Sequence, residues 1–150
     1  MRCVRIAIGV GAGLIASMLP AGVVPAADAA DLAGWLSQAT SHVSDIHLAE
    51  SDALAAILAK PFDGNKLQGA CTRLGDANTA LEQQMPAPDN KLNVEVQQAL
   101  DNFESAAQYC PQLVASYSKD NVDQFESYLK LAEQHFGRAD TILDSLSQKG

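Results

Sequence analysis

The stretch VDQFESYLKLAEQHFGRADTILDSL, residues 122–146, carries Val122, Phe125, Leu129, Ala132, Phe136, Ala139, Leu143 and Leu146 at spacings of three and four. That periodicity places all eight on one stripe of an α-helix and leaves the charged residues on the other faces. Ser118 to Asn121 supplies polar side chains that can cap its first turn. Immediately upstream, Leu92, Val96, Ala99, Phe103, Ala106, Cys110, Leu113 and Tyr117 form a second such stripe behind Asp89 or Asn90 as cap. Pro111 lies inside it and removes one backbone donor, which predicts a kink or a restart.

Two more helices precede these. Asp63 and Asn65 can cap one carrying Leu67, Cys71, Leu74, Asn78, Leu81 and Met85, and Pro86-Ala87-Pro88 ends it as a stiff turn. From Asp31 to Lys60 the series Leu32, Leu36, Ala39, Val43, Ile46, Ala53 and Ile57 repeats with helical spacing, with Glu50 as the one exception, and Pro61 terminates it. No period-two run bounded by turn residues competes. Four helices joined by short links predict an all-α, antiparallel up-and-down four-helix bundle over residues 30–150.

Residues 1–29 read differently. Arg2 and Arg5 precede an uncharged apolar run, Ile6 to Leu19, after which Pro20, Gly22 and Pro25 lead into Ala27-Asp28-Ala29. A basic start, an apolar middle and small residues at the cut describe a cleavable signal peptide, with cleavage after Ala29 or, nearly as well, after Ala26. The rival is an uncleaved anchor, since Ile6 to Val24 nearly reaches the ~20 residues of a membrane span. Gly9, Gly11, Gly13 and Pro20 weaken it as a permanent helix. Cys3 stands upstream of the apolar run, where cleavage would not leave it as a lipidated first residue.

The chain of 150 residues has 10 Lys+Arg against 18 Asp+Glu, a formal charge of −8. So acidic a surface argues against nucleic acid, whose phosphates are gripped by clustered positive charge. With the leader removed, Cys71 and Cys110 remain as an even pair in an oxidising compartment, which favours a disulfide. If the second helix reaches Met85 and the third starts near Asn90, the two cysteines differ in height by about 9 Å. An extended Pro-Ala-Pro-Asp segment, rising ~3.1 Å per residue, can absorb that difference. A reactive thiol pair is the alternative, without C-x-x-C spacing or an adjacent cation to support it.

Candidate chemistry is sparse. His42, His47 and His135 occur in none of the spacings of helical metal or haem sites, so surface histidines are expected, with no metal and no cofactor implied. Glu50 falls on the core stripe. Either the helix breaks there, with Ser51 as a new cap, or Glu50 lines a polar cavity. Asn78 reads as a buried register-setting amide or, less simply, as a ligand contact. Trp35, the sole tryptophan, is a core-edge residue or a partner-binding anchor. No frame for nucleophilic catalysis or phosphate binding is present, so no enzymatic activity is expected.

The layout Ala70-Cys71-Thr72-Arg73-Leu74, then Pro86-Ala87-Pro88-Asp89, then Ala106-Ala107-Gln108-Tyr109-Cys110 resembles a group of small exported actinobacterial helical proteins. In that group, cysteines of the second and third helices flank a Pro-x-Pro-Asp turn. The similarity spans roughly Leu67 to Leu113. Many members are lipoproteins, whereas the lipidation cysteine is missing here. The resemblance implies an envelope or secreted location and points to no reaction.

The sequence therefore predicts an exported, non-catalytic interaction protein of the cell envelope or extracellular space, meeting a protein partner there and a membrane only through an uncleaved leader. A carrier for a lipid, haem or other apolar ligand is the alternative, with the small side chains of Ala99, Ala106, Ala132 and Ala139 leaving room and Tyr109, Tyr117 or His135 as polar contacts. Protein recovered outside the cytoplasm should yield an N-terminal sequence starting at Ala30, or at Ala27 for the earlier cut. Intact Met1 in membrane pellets would instead identify an anchor.

Overall fold

The computed structural model describes residues 29–148. The expected leader, Ala29 excepted, lies outside the described residues, as does the alternative cut after Ala26; the cut after Ala29 falls behind the first residue of α1. Four helices follow one another: α1 Ala29–Leu58, α2 Gly64–Glu82, α3 Asn90–Ala115 and α4 Lys119–Ser147. Three begin at side-chain caps that satisfy the free N–H groups of a first turn. Asp63 accepts from the Lys66 N–H, Asp89 from those of Lys91 and Leu92, and Ser118 from that of Asn121.

The apolar stripes converge on one core. Leu67, Leu74 and Leu81 of α2, Leu92, Leu100, Phe103 and Leu113 of α3, Phe125 of α4 and Ile46 of α1 are all excluded from solvent. The packing is uneven around the bundle. α2 lies along α3, α1 packs along α2 and α4 along α3, whereas α1 and α4 touch at only a few points.

Three local expectations need correction. α1 is continuous through Glu50, so no break occurs there. α3 runs through Pro111 to Ala115 without restarting. α2 ends at Glu82 rather than Met85, because the N–H groups of Gln84 and Met85 donate three residues back, to the carbonyls of Leu81 and Glu82. Such tightening suits the approach to Pro86, which disfavours α geometry at the residue before it.

The cysteines meet in a disulfide with Cα atoms 6.3 Å apart. Cys71 lies 11 residues before the end of α2 (71 to 82) and Cys110 lies 20 after the start of α3 (90 to 110). The difference in height along the helices is thus about 13 Å, more than the sequence implied. The link from Gln83 to Asp89 is correspondingly longer, and extended chain at ~3.1 Å per residue covers the distance. It is pinned at three points. Trp35 Nε1 donates to the Gln84 carbonyl at 2.8 Å, the Ala87 N–H donates to Asn93 Oδ1 at 3.0 Å, and Asp89 caps α3.

Cys71→Ala should lower stability by roughly 4 kcal/mol, the chain-entropy value for a loop of about 40 residues. Thermal unfolding followed by circular dichroism should register this as a drop of roughly 10–20 °C, and non-reduced peptide mapping should recover Cys71 joined to Cys110.

Candidate functional site

Where α1 and α4 fail to close on each other, a groove of about 290 Å³ remains. Leu36, Ala39 and Val43 of α1 form one wall and Phe136, Ala139 and Leu143 of α4 the other, over a floor of Leu81, Leu92 and Val96. Its volume is roughly twice the ~150 Å³ cavity that accommodates benzene. Trp35, tethered to the α2–α3 link through its indole N–H, lies on the groove, as do His47, Glu133 and Asp140.

The polar residues explain why the two helices stay apart. Glu50 of α1 sits against Glu133 of α4, and His47 Nε2 lies 3.3 Å from Glu133 Oε1. Burial, and after it the charge of Glu133 and a hydrogen bond to it, push the Glu50 carboxyl from its ordinary value of 4.5 up to about 8. Glu133 Oε1 is shielded from solvent, and besides His47 Nε2 at 3.3 Å a protonated Glu50 is the donor placed to reach the Glu133 carboxylate. That proton also removes one of two facing charges, a carboxyl–carboxylate arrangement familiar from paired acids. Glu50 thus occupies its core-stripe position in neutral form, which is why the helix need not break. His47 is half exposed and meets Phe136 edge-on, the ring centroids 5.9 Å apart.

The other candidate residues are distributed over the molecule. Tyr109 donates to Asn121 Oδ1 at 2.8 Å and packs near Tyr128, tying α3 to the start of α4. Tyr117 stacks on Phe62 and donates to the Ile57 carbonyl at 3.1 Å, fastening the α3–α4 link to the end of α1. His135 is largely buried on the α3/α4 seam, with Nδ1 2.7 Å from Glu95 Oε2 and Arg138 3.5 Å from the same oxygen. Only Trp35 of the expected contact residues reaches the groove. Asn78 is buried with Oδ1 unpaired, beside a separate polar depression between α2 and α3 that includes Gly75, Glu82, Glu104 and Gln108. Ala99, Ala106 and Ala132 are packed into the core, and of the four alanines expected to leave room only Ala139 lines the groove.

Sequence reasoning missed Glu133 and Glu95, which look like ordinary surface acids until α4 is docked. Among the described residues no three His, Cys, Asp or Glu side chains converge to hold a metal ion, and no helix is long and apolar enough to cross a membrane. Compared with protein-family models, curated proteins and solved structures, the chain has no match.

The Glu50 proton links stability to pH. Its folded pKa of about 8 lies above the ordinary 4.5, so between these values the folded chain keeps a proton that the unfolded chain releases. The resulting stabilisation is complete below pH 4.5 and lost as pH rises through about 8. Glu50→Gln cannot ionise and can still donate to Glu133. At pH 8.5 it should be more stable than wild type by on the order of 1 kcal/mol, allowing for solvent screening of a half-buried group. Melting curves from pH 5 to 9 should be flatter for the variant; parallel curves would show that Glu50 does not carry the proton.

Proposed function

We propose that this chain is an exported, non-catalytic binding protein that holds a small apolar ligand in the groove between α1 and α4. The groove is the observation that carries the reading. Ligand sites are concave and mostly apolar with a few placed polar groups, at volumes of roughly 300–1,000 Å³. A groove of about 290 Å³ with an apolar floor and walls, and with His47, Glu133 and Asp140 along it, falls at the small end of that class. The large exposed side chains that a protein partner could use, Leu48 and Leu58 on α1, Val94 on α3, Tyr117 on the α3–α4 link and Leu131 on α4, are divided among three helices and a link. Trp35 donates its indole N–H within the chain and offers the groove its ring, which suits a ligand wall better than a free anchor. An exported location is supported by the Cys71–Cys110 disulfide, which suits an oxidising compartment.

Gly137 allows a clean test. It lies on the groove, and a Cβ there would meet nothing within 4 Å, so Gly137→Leu adds bulk at the groove from a position whose Cβ is unobstructed and replaces a poor helix former. Wild-type protein titrated with 1-octanol should show a saturable change in Trp35 fluorescence, and native mass spectrometry of protein from its own host should reveal an added small mass. Both should be lost in Gly137→Leu while the fold is kept. A bare wild-type chain whose fluorescence does not respond would overturn the reading.

A further inference from the structure

We infer that the ligand of the α1/α4 groove is an amphipathic cation, an apolar chain or ring system ending in a protonated amine; this rests on the groove reading above. The charged and titratable groups along the groove are Glu133 and Asp140 of α4 and His47 of α1, and no lysine or arginine is among its described lining residues. Glu133 and Asp140 are seven residues apart, two helical turns, so their carboxylates lie along the α4 wall rather than in one acidic cluster. The charged ends face an otherwise apolar trough floored by Leu81, Leu92 and Val96.

The two halves of such a ligand meet opposite surroundings. Its apolar part covers the floor and walls and leaves water in doing so. Its ammonium lies beside the Asp140 carboxylate or that of Glu133, the latter shared with His47 and Glu50, and gains a charge-assisted hydrogen bond there. The rings of Trp35 and Phe136 are further attractive to a cation. An anionic amphiphile such as a fatty acid would place its carboxylate against Glu133 or Asp140. The chain's formal charge of −8 also draws cations towards the groove and repels anions. Arg138, the nearest basic residue in sequence to Asp140, is paired with Glu95 on the α3/α4 seam, and Lys130, three residues before Glu133, is not among the described residues that line the groove.

Three probes of equal chain length separate the possibilities: n-octylamine, 1-octanol and octanoate, titrated below their micellar concentrations at pH 7 and read by Trp35 fluorescence and calorimetry. Octylamine should bind at least tenfold more tightly than octanol, with octanoate weakest. The double variant Glu133→Gln/Asp140→Asn should bring octylamine down to the octanol level and leave octanol unchanged, and Gly137→Leu should abolish binding of all three. Equal binding of amine and alcohol, or preference for octanoate, would overturn the cation inference while leaving the groove reading intact. Octylamine binding that survives Gly137→Leu would place the amine elsewhere on the acidic surface and also overturn it. If folded wild-type protein binds none of the three, the groove reading fails together with the inference.

Discussion

The Cys71–Cys110 bond joins α2 to α3 across a link that climbs from Gln83 to Asp89, and the remaining architecture is arranged around that clamped pair. α1 has only α2 to lie along, and α4 only α3. Each outer helix buries most of its stripe against the central pair, and Leu36, Val43 and Leu143 stay partly uncovered between the two. The asymmetry of the bundle follows from this. Two long helices are held on a central hairpin, and the fourth side is left partly open.

What lies on that fourth side keeps it open. Closing α1 onto α4 would force Glu50, Glu133 and His47 into a dry seam, where ionised groups are costly unless fully paired. The chain reaches a compromise in which one carboxyl holds a proton for the other and the helices part beside them. At the ends of the molecule α1 is fixed by specific tethers to the links: Trp35 to Gln84 of the α2–α3 link near its start, and Ile57 to Tyr117 of the α3–α4 link near its end. The groove is therefore a built feature with fixed ends. It spares some burial of Leu36, Val43 and Leu143 and keeps that apolar surface reachable from solvent.

The same accounting separates residues that hold the fold from residues that face the groove. Tyr109, Tyr117 and His135 combine apolar surface with a polar tip, as ligand contacts often do, yet each spends its polar atom on another part of the chain. Asp140 lines the groove, and Glu133 lines it while also meeting Glu50 and His47 of α1. Trp35 does both, with its nitrogen tied to the α2–α3 link and its ring on the groove.

Much of the fold was legible in residue order because helix periodicity and caps are local. The stripe from Val122 to Leu146, the caps Asp63, Asp89 and Ser118, and the terminators Pro61 and Pro86 each act within a turn or two of chain, so spacing alone reveals them. Pairing of Cys71 with Cys110 followed from their being the two cysteines of residues 30–150. The site was not legible in this way. Periodicity marked Glu50 as out of place on its stripe but could not name Glu133, 83 positions later, as the group that accepts its proton. Nor could it tell that Ala139 would border open space while Ala99, Ala106 and Ala132 would be packed, since all four occupy equivalent stripe positions. Local sequence determines which face of each helix is apolar. How far apart two such faces settle depends on side chains from all four helices meeting at once, and that only the tertiary structure decided.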